Sequence, residues 1–481
     1  MKDSTEIVKG LAEIVGQEFV KSEPDVLSGY RVDNIQPGAV VFPKDTVQVS
    51  EVVYFANREN LAIVPRGSGT KMALGNPPKR LDLVVCTSRM DNMIDVDTSN
   101  LTITVEAGVK FRDIQARLAT QEDRCYLPLE DLTTEAGEVI CSDRSHSGCF
   151  LPIDPSHANS ATMGGIIAAN SSGPRRLLYR LPRDSILGVR MVSPTGEILG
   201  SGGKTVKNVS GYDVSKLAVG SIGSLGILCE MTFRLLPLPE KMETLLSSFN
   251  SFSDASAFAE GLFGTTLLPA SVEVMNQRAY SHLNMDGIPD FGSNDYVSAI
   301  ALEGFEQAVE RMRTEIMNIA KANGARSDAC LQEEKHLSFW LEVSALEQNL
   351  AEKASGLVRA RINYPISEWG GVIESAESAF SGADLDFTIQ AHAGSGICLA
   401  NLLVDKDDSE GMERAVMTLN SLLDDCRRVA GNLVVERVPT GVKERLKIWG
   451  EVGPDFVVMK RIKDQIDPAG VMSPGRFVGG L

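Results

Sequence analysis

The sequence predicts an α+β protein of two or three domains, and three observations carry that prediction. Short apolar strands alternate with amphipathic helices up to about residue 240. Glycine-rich turns cluster in two patches of that half, and the second half alternates strands with charged helices. A chain of 481 residues has ample length for several cores, and 43% apolar content is that of an ordinary globular protein.

Residues 1–36 open on an amphipathic helical pattern, MKDSTEIVKGLAEIVGQEF, without the long apolar core of a signal peptide. A short strand over 39–43 ends at Pro43. Asp45 then caps a helix over 47–60, whose apolar stripe is Val49, Val52, Val53 and Ala56. The strand over 61–64 leads into the first glycine patch, Pro65, Arg66, Gly67, Ser68, Gly69, Thr70 and Lys71. Strands follow over 82–86 and 101–106, and a helix over 111–121.

Residues 130–150 read as an insertion that splits one strand edge, between residues 125–128 and 151–154. An insertion of this length in a compact domain fits a partner contact or a lid, the alternative being a disordered loop with no role. The second glycine patch runs from Asp154 to Pro239. Beyond it, strands over 271–275, 296–303, 385–391 and 397–404 alternate with helices over 306–323, 332–345 and 411–429. That pattern reads as an antiparallel sheet covered by helices. The tail, 467–477, returns to a Pro/Gly-rich loop. The expected division is therefore 1–36, 37–240, 241–465 and 466–481.

Glycines without a Cβ let backbone N–H groups approach a phosphate or a ring closely. Neither patch is a GxGxxG dinucleotide fingerprint or a GxxxxGK[ST] P-loop. Two separated patches beside strands fit one long ligand held along its length, and the pairing points to a flavin. The chain has 47 Lys and Arg against 64 Asp and Glu, a net charge of −17, which argues against nucleic acid and anionic membrane as direct partners. No apolar run reaches membrane-spanning length, so the expected location is cytoplasmic, with any membrane contact made through a partner. Eight cysteines include no CxxC pair, which leaves no iron–sulfur or zinc-knuckle spacing. Cys125, Cys141 and Cys149, with His146 between them, read as a loop thiol cluster.

The linked motifs PRGSGT, ATMGGIIAANSSGPRR, YRLPRDSILGVRMVSPTGEIL, KNVSGYDVSKLAVGSIGSLGIL and DPAGVMSPGRF resemble FAD-linked oxidases of the vanillyl-alcohol-oxidase, PCMH-type superfamily. Within it, they are most similar to the glycolate oxidase E subunit and related 2-hydroxyacid dehydrogenases. The resemblance implies a two-subdomain PCMH-type FAD-binding domain and a cap domain with a ferredoxin-like antiparallel sheet. It implies that Arg66–Lys71 wraps the FAD pyrophosphate as an anion-binding nest, with Pro65 beside it in the cofactor site and Lys71 either adding charge or standing as a solvated surface lysine. Asp154, Ala161, Thr162, Gly164, Gly165, Ala168, Ser171 and Gly173 are expected near the pyrophosphate and isoalloxazine, and Gly226 and Ile227 near the adenine-ribose end. The alternative for Gly164 and Gly165 is a turn that serves packing alone. Covalent attachment in this superfamily commonly uses a His in or just after the first glycine loop. Thr70 and Lys71 stand there instead, so FAD is expected to bind non-covalently, the alternative being a link to a cysteine of the second half.

The resemblance breaks at the metal motif. Metal-assisted 2-hydroxyacid dehydrogenases of this superfamily carry HxGDGNxH and a later EHG. This chain has His392-Ala393-Gly394-Ser395-Gly396-Ile397-Cys398-Leu399, and later Glu436-Arg437. No metal is therefore expected. His392 is the candidate base, with Arg437 or Arg476 for a substrate carboxylate; the alternative for His392 is a packed structural residue. Three functions remain open. The first is a flavin subunit of a glycolate- or D-lactate-type dehydrogenase complex, working with a second flavin subunit and an iron–sulfur subunit. The second is a self-sufficient dehydrogenase using His392, and the third is a non-catalytic scaffold.

Overall fold

The computed structural model describes residues 4–122, 148–203, 213–292 and 295–481. The first unit is a four-stranded sheet in the order Val20–Lys21, Ala39–Val41, Leu83–Cys86, Ile63–Arg66. Its last three strands run parallel, so each must be joined by a crossover, and the helix Thr46–Arg58 makes one. Asp45 caps that helix by accepting from the Gln48 N–H, and Val49, Val52, Val53, Phe55 and Ala56 are buried along it. The same core takes in Val192, Ile227 and Cys229, so the helix is packed between this sheet and the next.

The second sheet is antiparallel, in the order Met93–Asp97, Thr102–Glu106, Ile227–Arg234, Ile186–Val192, Ile198–Gly202. The helix Met163–Ala169 lays Ile166 and Ile167 against Ile103, Val105, Met231 and Phe233. The C-terminal loop closes back on the first sheet: Ile63 N–H donates to Val471 O at 2.7 Å and Ser473 N–H to Ile63 O at 2.7 Å. Buried Lys463 anchors that return by donating to Ser224 O, Asp467 Oδ2 and Met472 O.

The third large element is an eight-stranded antiparallel sheet in the order Ser327–Gln332, Lys241–Phe249, Tyr296–Gly304, Ser271–Asn276, Phe387–His392, Ile397–Leu402, Val358–Asn363, Asn432–Arg437. Helices Phe252–Phe263, Glu306–Ala322, Trp369–Gly382 and Ser409–Arg428 bury one of its faces. On the other face, the helix Glu334–Lys353 covers the half nearest Lys241–Phe249. What that helix leaves uncovered is a polar row that faces the glycine-rich half. No helix among the described residues is long and apolar enough to cross a membrane.

The strand-edge reading of residues 151–154 is corrected. Cys149–Phe150 pairs with Leu236–Pro237, but residues 151–154 are irregular. Pro152 has no N–H to give a ladder, and the Asp154 side chain bonds the loop instead. The rest of the insertion, with Cys125, Cys141 and His146, lies outside the described residues. Cys149 is buried.

Candidate active site

A cleft of about 780 Å³ opens where the strand Ile63–Arg66 ends and the helix Met163–Ala169 begins. Pro65, Arg66, Gly67, Ser68, Gly69, Thr70, Lys71, Thr162, Gly164, Gly165, Ala168, Gly226, Ile227 and Arg476 come together around it. Ser221, Ile222 and Gly223 complete the wall; the Ser-Ile-Gly-Ser-Leu-Gly run carries them, but nothing marked them as lining before the fold was known. Gly226 has φ +147, and a Cβ there would come within 2.4 Å of Val192 O, so no other residue fits this approach. At Gly164 a Cβ would meet that of Ala107 at 2.9 Å, so this glycine also serves close packing of helix on strand end.

Among the described residues, two groups on this wall lack protein partners. The buried Thr162 Oγ1 has none, and neither do Nε and Nη1 of Arg476. Arg476 is 3% exposed. Its Nη2 donates to Met72 O and Leu74 O, which fixes the guanidinium beside the glycine turn. Burial pulls its pKa down to about 10, with Asp33 opposing. The Arg66 guanidinium folds back over Gly69 of the turn, where a Cβ would meet its Nη2 at 2.6 Å, while it donates to Gly29 O and lies 4.6 Å from the Tyr30 ring centre. Residues 1–36 thus brace the first glycine loop from behind.

Asp154, Ser171 and Gly173 do not line this cleft but a second pocket of about 670 Å³. Ala161 is buried, and its carbonyl accepts from Phe111 N–H. Asp154 accepts from Gly173 N–H and Arg175 N–H, both at 2.8 Å, so it shapes the loop. Burial pushes its carboxyl up, against the pull of those N–H groups and Arg175.

The second pocket lies on the uncovered face of the eight-stranded sheet. Gln390, His392, Ile397, Leu399, Arg359, Arg361 and Glu436 project into it from four neighbouring strands, and Arg176 closes it from the glycine-rich half. His392 is 3% exposed, and its Nδ1 sits 2.7 and 2.9 Å from the two oxygens of Glu273. Glu273 stands directly opposite on the adjoining strand and is fully buried. An Nδ1–H donated to this carboxylate leaves Nε2 as the lone-pair nitrogen. Lys71 borders both cavities and joins them.

Charges here are compensated in a chain. Lys71 Nζ lies 3.1 Å from Glu347 Oε2, and Arg359 Nε lies 3.6 Å from the same oxygen. Arg359 and Arg361 reach opposite oxygens of Glu436, each at 3.2 Å. Burial opposes ionisation of Glu347, yet Lys71 and Arg359 hold its carboxyl far below the usual range. Burial likewise opposes ionisation of Glu436, and Arg361, Lys71 and Arg359 overcome it. Lys71 is therefore a paired, half-buried residue and not a solvated one. Arg437, 39% exposed and 3.7 Å from Glu347, lies outside the lining of the His392 pocket, and Arg476 belongs to the first cleft. Sequence reasoning missed Glu273, Glu347, Arg359 and Arg361; the alternating Val-Arg-Ala-Arg-Ile-Asn of the strand Val358–Asn363 was the available signal for the last two. Among the described residues, no group of three or more His, Cys, Asp or Glu is placed to hold a metal ion.

Residues 37–139 and 132–202 match the FAD binding domain family, and residues 238–477 match the FAD linked oxidases, C-terminal domain. The chain belongs to the FAD-linked oxidases. Its cofactor is FAD, and it is an FAD-dependent oxidoreductase. This FAD-linked oxidase is 28% identical to the glycolate oxidase subunit GlcD of Bacillus subtilis, over 92% of the chain and 89% of that protein. It is 24% identical to the mitochondrial D-lactate dehydrogenase [cytochrome] of Arabidopsis thaliana, over 99% of the chain and 83% of that protein. The PCMH-type fold is shown by p-cresol methylhydroxylase with substrate bound, which superposes with a TM-score of 0.76 at 18% identity, covering 98% of this chain and 96% of that one. The glycolate oxidase relative is subunit GlcD, where the sequence motifs alone pointed to similarity with the E subunit.

Proposed function

We propose that this FAD-linked oxidase oxidises a 2-hydroxy acid to the 2-oxo acid, with the substrate held between the His392 pocket and the flavin. The observation that carries this reading is the buried His392–Glu273 pair on the wall of a pocket that adjoins the glycine-lined cleft. The cleft's residues fit FAD: its glycine wall admits close backbone approach, and the unpartnered Thr162 hydroxyl and Arg476 N–H groups are aligned with polar needs of a large ligand. Thr70 and Lys71 offer no imidazole for attachment, which supports non-covalent binding.

FAD, when bound, accepts the electron pair of the substrate C–H bond as a hydride equivalent. His392 Nε2 takes the hydroxyl proton as that bond breaks, and the carbon–oxygen double bond forms. Glu273 holds the imidazole in the tautomer that makes Nε2 the base and balances the charge once the proton has arrived. The pocket's arginines favour an anionic substrate. The names of the glycolate and D-lactate relatives support the same class.

A second reading concerns assembly. In it, this chain is one flavin subunit of a complex that passes electrons to an iron–sulfur partner beside a second flavin subunit; that GlcD is named a subunit supports the membership of a complex. An anaerobic visible spectrum of the purified chain, before and after glycolate and D-lactate, separates the readings. Bleaching that His392→Ala abolishes supports chemistry in this chain. Bleaching that His392→Ala leaves untouched removes His392 as base. A spectrum that stays oxidised until a partner is added supports the relay.

A further inference from the structure

Each cation in the second pocket has a different degree of satisfaction, and that difference bears on which acid fits. Arg359 is engaged on three sides, with Glu436 at 3.2 Å, Glu347 at 3.6 Å and Asn401 Oδ1 at 3.3 Å. Lys71 is paired with Glu347. Arg176 donates Nη2 to the Ser172 carbonyl and hydroxyl, and Nε to Gly173 O. Arg361 is the exception. Its Nη1 meets Glu436 at 3.2 Å, but its Nε is buried without a partner. Among the described residues lining this pocket, it is the side-chain nitrogen left in that state.

Arg361 pairs across the ladder with Leu399, and Leu399 with Gln390, two residues from His392 on the same strand. Arg361 and His392 therefore share one sheet face, two strands apart, with Leu399 between them. Ile397, Leu74 and Val343 add further apolar lining. A buried N–H left unpaired costs more than a net hydrogen bond is worth, so it marks where a ligand oxygen completes the site.

We infer that Arg361 is the carboxylate anchor of this pocket, and that the substrate is a 2-hydroxy monocarboxylic acid. This rests on the 2-hydroxy acid reading and narrows it. One unpaired donor accommodates one carboxylate. A second would have to displace Glu436 or Glu347 from their arginines, or lie against those carboxylates.

The test uses product-like ligands that cannot be oxidised, so binding is read without turnover. Holoenzyme is titrated with 2-oxobutyrate and with 2-oxoglutarate, and Kd is taken from perturbation of the visible flavin spectrum. Wild type is expected to bind 2-oxobutyrate at least about tenfold tighter. Arg361→Gln is expected to weaken 2-oxobutyrate about 30-fold, with FAD content and the unliganded spectrum unchanged. If that variant loads no FAD, Arg361→Lys takes its place, with roughly tenfold weakening expected because a point cation replaces a planar fork. Equal or tighter binding of 2-oxoglutarate overturns the inference. So does a substituted enzyme whose Kd stays within about threefold of wild type. A spectrum that neither ligand perturbs overturns it too. Loss of the His392 chemistry would show only in substrate reduction, so the two readings fail separately.

Discussion

Lys71, on the first glycine turn, and Glu347, on the helix Glu334–Lys353, meet at 3.1 Å and tie the cofactor half of the molecule to the eight-stranded half. Glu347 also lies near Arg359 and Arg437, so one buried carboxylate offsets three cations from three elements. Glu347→Gln keeps the shape and leaves those cations facing one another. The expected cost is about 3 kcal/mol, since breaking a buried pair strands its partners. The pH dependence has a defined sign. The folded pKa of Glu347 lies below its ordinary value of 4.5, so its contribution is fully present above that value. It is lost as pH falls towards the folded pKa. Urea unfolding from about pH 7 to about pH 3 checks this: the gap between wild type and variant should stay constant above about 4.5 and narrow below. A gap that widens on acidification overturns the assignment.

The His392–Glu273 pair makes a kinetic prediction. Glu273→Gln preserves volume but offers an amide where a carboxylate fixed the imidazole tautomer. Flavin reduction by substrate should slow by about 10²–10⁴-fold in anaerobic stopped flow, because general-base assistance is lost. Binding of 2-oxobutyrate should stay within about threefold, because Arg361 is untouched. Parallel losses in both would mean that Glu273 only supports packing.

A third contact reaches across the same junction. Arg175 Nε donates to Glu303 Oε1 at 2.8 Å, and Tyr179 OH donates to Glu303 Oε2 at 2.6 Å. Arg175 N–H is held by Asp154, so this pair transmits the position of the large sheet to the loop that lines the second pocket. The pair is nearly dry, at 8% and 0% side-chain exposure. Glu303→Ala should therefore cost roughly 3–5 kcal/mol of stability, where an exposed pair such as Arg311–Glu315 should cost under about 1. Thermal unfolding of the two single variants measures the contrast, and equal shifts would contradict it.

The glycine cleft was legible because its chemistry is local: turns that need backbone approach cannot hide their glycines. The large sheet was only partly legible. Lys241–Phe249 is buried on both faces over most of its length, so no alternation marks it as a strand. The strand Val358–Asn363 alternates, but its polar residues face a buried pocket, and charge there reads as solvent exposure in one dimension. Glu273 was invisible for a different reason. It lies 119 residues from His392 in the chain, and only the antiparallel register brings them opposite. Arg476 was legible as a candidate, but its place against Met72 and Leu74 depends on the C-terminal loop closing beside Ile63.

That closure gives the last prediction. Among the described residues, Arg476 is buried without a carboxylate at hydrogen-bonding distance, and its Nε and Nη1 lack partners. Such a group is tolerated when a ligand supplies the missing acceptors, so its interaction belongs to the cofactor-bound protein. Arg476→Met should weaken FAD about 30-fold, which removes about 2 kcal/mol of ligand-linked stability at saturating FAD. The readouts are FAD retained after gel filtration and the rise in Tm on adding FAD to stripped protein. Lys463→Met supplies the control for indirect effects, because it loosens the same loop through Ser224, Asp467 and Met472 while leaving the guanidinium in place. It should lower Tm with and without FAD by similar amounts. Arg476→Met should instead shrink the FAD-induced rise itself, and an unchanged rise would separate Arg476 from the cofactor.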